Sequence, residues 1–288
     1  MEIILNGLTK EYKGCRAVDG VSMRIGSPLI YGLIGKNGAG KTTLLKMIAG
    51  LTAPTSGRVE YDAPNGIGTL IEAPGIFGHL CARDNLLIKM KMTGDDDRSH
   101  ADELLKKVGL ENAGKKKAAS FSLGMKQRLG VALALVGDPD ILLLDEPING
   151  LDPEGIALIR DLLIEQRNKN KIIIVSSHML EELSKVCDRY GILDKGVLIK
   201  EFCEGELEFD GSDTFVVRVD DTERTSNILS ALGVNHSLKG QTVLITEPEN
   251  RVGAAISKLF EEGVRVREFK RYENALERVL LEKGGEKR

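Results

Sequence analysis

The sequence predicts an α/β fold: a parallel sheet with an antiparallel flank, a helical insertion and a small C-terminal α+β domain. Three observations predict it. Short apolar runs at residues 29–34, 141–144 and 171–175 have the length and uniform apolarity of strands buried on both faces, and turns and helical patterns follow them. Between about residues 74 and 139 the spacing is helical and no strand pattern interrupts it. Beyond about residue 210 the pattern runs β-α-β-β-α-β. The expected domains are therefore residues 1–205, with a helical subdomain at about 74–139, and residues 210–288.

Residues 2–27 alternate apolar and polar positions around turn residues, which predicts antiparallel strands. Tyr12, in the polar turn between them, reads two ways: an aromatic placed to stack on an adenine ring, or a plain surface tyrosine. Next comes Gly35-Lys36-Asn37-Gly38-Ala39-Gly40-Lys41-Thr42, which fits the pattern G-x-x-x-x-G-K-[ST] at every fixed position. It lies between the strand at 29–34 and a helix from Thr42 and Thr43 to Ala49, closed by Gly50. Glycines let the backbone wrap a phosphate without Cβ clashes, so that successive N–H groups and a helix N-terminus point at the anion. Lys41 supplies a point charge for β/γ-phosphates and Thr42 a hydroxyl for Mg²⁺.

Residues 57–61 and 67–71 read as two further strands, the second ending at Glu72. A carboxylate there either holds Mg²⁺ or orients water, or is a solvated strand-end glutamate. In the insertion, helices are expected at 84–92, 99–108 and 123–136; the Asp95-Asp96-Asp97 and Lys115-Lys116-Lys117 runs read as solvated loop charge. Ser122 is placed to cap the last of these helices. That is either an ordinary capped helix or, by the logic that applies at Gly40, a second phosphate-competent helix end.

The buried run at 141–144 delivers Asp145 and Glu146, where a Mg²⁺-holding aspartate and a water-polarising carboxylate belong. Asn149-Gly150-Leu151-Asp152-Pro153 turns into a helix reaching about Asn168, with Pro153 in its first turn. The strand at 171–175 delivers Ser176-Ser177-His178, and His178 is either a γ-phosphate contact or a cap or surface histidine. Residues 190–193 and 196–199 form a hairpin around Asp194-Lys195. The C-terminal pattern has strands at 214–219, 235–237, 242–246 and 264–269 and helices at 222–232 and 250–262. That is a ferredoxin-like order, followed by a helix at 272–283. No chemical motif occurs in it.

Composition narrows the partners. With 40 basic and 43 acidic residues the net charge is −3, so no nucleic-acid footprint is expected. Cys15, Cys81, Cys187 and Cys203 lie far apart without a C-x-x-C pair, which argues against a zinc site or disulfide framework and for a reducing cytosol. No signal peptide opens the chain and no apolar run approaches the ~20 residues that cross a bilayer, so any membrane role is expected to act through a partner.

In order and spacing these motifs resemble the ATP-binding subunit of ABC transporters along about residues 1–205. The resemblance implies a P-loop NTPase core of the RecA-like kind, with ATP and Mg²⁺ as ligands. It makes Tyr12 the adenine-stacking aromatic, Gly35 to Thr43 the phosphate loop, Glu72 the Q-loop position, and Phe121 to Met125 the signature. It makes Asp145 the Mg²⁺ aspartate, Glu146 the catalytic base, Asn149 to Asp152 the D-loop and His178 the switch histidine. Two departures stand out. The usual L-S-G-G-Q signature is here Phe121-Ser122-Leu123-Gly124-Met125, which keeps Ser122 and Gly124, and Glu72 replaces a glutamine. Glu72 together with the S-L-G-M-K-Q-R signature resembles bacitracin-type and lantibiotic-immunity exporters.

The resemblance further implies that two copies meet head to tail, each ATP clamped between one phosphate loop and the other copy's Ser122 and Gly124, with Asp152 linking the two sites. Closure would pull on an integral-membrane permease subunit, placing the chain in the cytoplasm at the inner face of the cell membrane. Residues 73–92 are the expected docking region. There Ile76, Phe77 and Leu80 either receive a short helix or belong to the insertion core. Rival readings are a non-transport ABC-type ATPase, which usually carries coiled coils, zinc modules or a second cassette, and a regulatory ATP-binding module. Intact Lys41, Asp145, Glu146 and His178 argue against the regulatory module.

Overall fold

Alternation along the first two strands decides what they cover. In β1 (Glu2–Tyr12) and β2 (Cys15–Gly26), Ile3, Leu5, Leu8, Val18, Val21 and Ile25 are buried and their neighbours face outward. With β4 (Ser56–Tyr61) they form an antiparallel sheet of order β2-β1-β4. Its inner face shares one core with Leu44, Leu45, Met47 and Ile48 of α1 (Lys41–Ile48). The computed structural model describes residues 1–177, 185–203, 213–240 and 242–272, and the chain divides into two compact units, Met1–Glu204 and Gly205–Arg288.

The second sheet of the first unit has six strands. They are β5 (Ile67–Leu70), β6 (Ile141–Asp145), β7 (Ile172–Ser177), β3 (Leu29–Ile34), β8 (Arg189–Asp194) and β9 (Val197–Cys203), in that spatial order. All pairings are parallel except β8 with β9. Every residue of β6 and β7 is buried, the signature of strands covered on both faces. Each large aliphatic side chain there contributes about 1.5–3 kcal/mol of burial. The register sets Ile34 beside Ser177 and Asp145 beside Ser176, so the carboxyl ends of β3, β6 and β7 open on one crevice.

The insertion carries α2 (Ala82–Thr93), α3 (Arg98–Lys107) and α4 (Leu123–Leu135). α4 lies on β5 with no room for a methyl between them: a Cβ at Gly68 would stand 1.9 Å from the Ala134 carbonyl oxygen. That contact fixes the carboxyl end of α4 relative to the sheet. α5 (Pro153–Asn168) begins at Asp152, whose carboxylate accepts from Gly155 N at 3.0 Å. The segment before α2 is held by buried Asn85. Its amide accepts from Phe77 N (2.7 Å) and donates to Phe77 O (3.2 Å) and Cys81 O (2.8 Å).

The second unit runs β10 (Asp213–Val219), α6 (Thr222–Ala231), β11 (His236–Lys239), β12 (Thr242–Glu247), α7 (Glu249–Glu261) and β13 (Val266–Tyr272). Its sheet is antiparallel throughout, in the order β11-β12-β10-β13, over a core that includes Val217, Leu229, Val243, Ile245 and Leu259. The helix expected at 272–283 lies almost wholly outside the described residues, and residue 272 belongs to β13.

Asn85 is the partner of the Phe77 N–H and shares the Phe77 carbonyl with Leu80 N, so Asn85→Ala is expected to lower the unfolding free energy by about 1–3 kcal/mol, read from urea denaturation. An unchanged midpoint would show that the segment does not depend on this side chain.

Candidate nucleotide site

The loop between β3 and α1 closes on itself: Ala39 N donates to Lys36 O at 3.0 Å and Leu44 N to Gly40 O at 2.9 Å. Two of its glycines are dictated by their surroundings. A Cβ at Gly35 would meet the Leu193 carbonyl oxygen at 2.4 Å; Gly40 has φ +104° and would bring a Cβ within 2.2 Å of the Ala17 carbonyl oxygen. Lys36, Asn37 and Gly38 are exposed, Ala39 is buried, and Thr42 and Thr43 are half-buried on the first turn of α1.

Lys41 is buried, its ammonium held by the carbonyls of Gly35 (2.7 Å) and Lys36 (3.5 Å). It also lies 3.7 Å from the Glu146 carboxylate. The Thr42 hydroxyl donates to Asp145 Oδ2 at 2.7 Å, and the Ser176 hydroxyl donates to Asp145 Oδ1. Thus the loop, the end of β6 and the end of β7 meet on one carboxylate.

Glu146 falls just past β6 in the left-handed region, with φ +51°. Its N–H donates to both the carbonyl and the hydroxyl of Ser176, each at 3.1 Å. Its carbonyl accepts from Gln127 Nε2 (2.9 Å) and Asn149 N (3.1 Å). A non-glycine residue held this way costs of order 1 kcal/mol or more and persists because its surroundings over-determine it.

Glu72 is not at a strand end. β5 stops at Leu70, Glu72 has φ +63°, and its carboxylate pairs with Lys46 of α1 at 2.6 Å. Tyr12 sits at the exposed tip of the β1–β2 hairpin, with the Lys10 ammonium 5.0 Å from its ring centroid. Ser122 is exposed and accepts from Met125 N at 3.2 Å; Gly124 lies beside Gly150, where a Cβ would meet the Gly150 carbonyl oxygen at 3.0 Å. Asp152 caps α5, and His178 lies outside the described residues.

The ABC transporter family model matches residues 18–149. The bacitracin transport ATP-binding protein of Bacillus licheniformis is 43% identical over 205 residues, covering 67% of this chain and 67% of that protein. The lantibiotic transport ATP-binding protein of Streptococcus pyogenes is 38% identical over 216 residues, covering 73% of this chain and 92% of that protein. The chain belongs to the ATP-binding subunits of ABC transporters. A dimeric ATP-binding cassette in a post-hydrolysis state, bound to ADP and Pi, superposes with TM-score 0.63 at 25% identity, covering 70% of this chain and 98% of that one. The protein is accordingly an ABC-type ATPase.

Three residues that hold this crevice together are not marked by the sequence pattern. Ser176 was visible at a strand end, but only the β6–β7 register gives it Asp145 as partner. Gln127 reads as one more polar helical residue until α4 is seen to reach the Glu146 carbonyl. Lys46 reads as a solvated helix cation until Glu72 is placed beside it.

Lys41→Ala should abolish ATP binding at millimolar nucleotide, because among the described residues no other buried cation lies at the loop; retained binding in a fluorescent-nucleotide titration would remove the loop assignment. Ser176→Ala should lower kcat about tenfold, the loss of one charge-assisted hydrogen bond. Nucleotide binding in EDTA should survive that change, and unaltered phosphate release would show that Asp145 needs no second donor.

Proposed function

We propose that this ATPase works as a head-to-tail dimer that powers export of peptide antibiotics by a separate membrane permease. The supporting observation is the convergence of Lys41, Thr42, Asp145 and Glu146 at one sheet edge within ion-pair or hydrogen-bond distance. Phosphoryl transfer requires positioning and charge neutralisation rather than a covalent partner, and this set supplies both.

The residues fit a magnesium ion. Thr42 and Asp145 offer hard oxygen ligands at the mouth of the loop, few in number. That suits a cation which retains waters and takes its other ligands from phosphates. Thr42 and Asp145 would hold it, with Glu72 as a third oxygen donor. Bound there, it would neutralise charge on the β- and γ-phosphates. Lys41 would exchange its loop carbonyls for phosphate oxygens, leaving the Glu146 carboxylate to orient the attacking water and accept its proton. His178 is proposed to contact the γ-phosphate and Tyr12 the adenine.

Ser122 and Gly124 would complete the site of a second copy, their exposed helix end meeting the γ-phosphate from the opposite side. The dimeric ADP-bound neighbour supports this arrangement. Among the described residues no helix is long and apolar enough to cross a membrane, so transport would require a membrane partner. A groove of about 860 Å³ beside β5 and α2 is the proposed docking place; Phe77, Ile88 and Met92 line it, Phe77 49% and Met92 77% exposed. Ile76 and Leu80 are half-buried beside it. The bacitracin and lantibiotic relatives support peptide antibiotics as cargo.

Glu146→Gln should accumulate an ATP-bound dimer on size-exclusion chromatography and release phosphate at least a hundredfold more slowly, on the order of a lost general base. Normal turnover in that variant would reject Glu146 as the base, and a monomer with ATP bound would reject the shared site.

A further inference from the structure

α1 carries a second cation below the phosphate loop. Lys46 follows Thr42 by four residues, the spacing that sets two side chains on one face of a helix, about one turn or 5.4 Å apart along its axis. Its ammonium lies 2.6 Å from Glu72 Oε1, with the two side chains 27% and 61% exposed. Glu72 itself is in the left-handed region, on a segment that has left β5 and whose neighbours Ile71, Ala73 and Pro74 line the groove beside α2.

We propose that Lys46 is a positioning residue for Glu72, holding the carboxylate one helical turn below Thr42 until it is drawn to the divalent cation at Thr42 and Asp145. This rests on the reading of Glu72 as a ligand of that cation. The ammonium and the cation are like charges that compete for one carboxylate. A glutamine could not be held this way: a neutral amide feels only the weak charge–dipole pull of an ammonium, whereas a carboxylate feels the full ion pair. Glutamate at position 72 therefore makes cation binding a transfer between two partners.

The test titrates Mn²⁺, as a paramagnetic stand-in for Mg²⁺, into the full chain saturated with a nonhydrolysable ATP analogue, with free Mn²⁺ read by electron paramagnetic resonance. Lys46→Met should tighten Mn²⁺ binding about threefold at low salt, the size expected for release from a partly exposed ion pair. The gain should shrink as KCl rises, because salt screens the pair. It should vanish when Glu72→Gln is also present. Lys46→Arg, which preserves the pair, should bind Mn²⁺ as the unaltered chain does.

An equal gain from Lys46→Met with and without Glu72→Gln would overturn the proposal, since Lys46 would then act as a distant charge. No gain at all would do the same. If Glu72→Gln alone leaves Mn²⁺ affinity untouched, the ligand reading of Glu72 falls and this proposal with it. If Glu72→Gln weakens Mn²⁺ while the Lys46 effect is independent of residue 72, only the positioning role falls. Analogue titration in EDTA, which reads the phosphate loop without metal, separates a damaged loop from a change at the cation.

Discussion

The site is organised by Asp145. One carboxylate oxygen accepts from Thr42 at the start of α1 and the other from Ser176 at the end of β7, so a side chain on β6 ties three elements together. This is possible only because β3, β6 and β7 are parallel and in register at their carboxyl ends. A one-residue slip of β6 would turn Asp145 to the opposite face of the sheet. The apolar residues of β6 and β7 hold that register through burial on both faces, so core packing and the geometry around Asp145 are set by the same residues.

Two glutamates lie just past strand ends with positive φ, and the structure handles them differently. Glu146 is held through its main chain, by Ser176 from β7, Gln127 from α4 and Asn149 from the following turn. Glu72 is held through its side chain, by Lys46. The first arrangement is a fixed geometry, as the proposed role of Glu146 as a base requires. The second is a single exposed ion pair, strong enough to bias a position and weak enough to exchange.

Within one chain the signature helix and the turn at Asn149 to Asp152 already touch. A Cβ at Gly150, which has φ +74°, would stand 2.6 Å from Leu123 Cδ2, and Gly124 approaches the Gly150 carbonyl. α4 also reaches the Glu146 carbonyl through Gln127. The helix end proposed to meet a second copy is therefore joined to the turn that follows Glu146 in its own chain. Leu123, which departs from the common signature, is the side chain that fills the contact.

Much of the fold was legible in the linear pattern. Uniform apolar runs marked the buried strands β3, β6 and β7, and the glycine-lysine-threonine spacing marked the loop, because both signals depend on neighbours a few residues away. The short strand β11 was harder to read: it begins one residue later than its pattern suggested and owes its place to pairing with β12. Likewise the apolar pattern runs on to Glu72, whereas β5 stops at Leu70, where α4 packs against Gly68 and Leu70. What the residues alone determined was the loop pattern and the strand-end carboxylates proposed to serve a triphosphate. Which serine steadies Asp145, which glutamine grips Glu146 and which lysine holds Glu72 were decided only by tertiary structure, because each pairing joins segments between 19 and 31 residues apart whose approach depends on sheet register and helix packing.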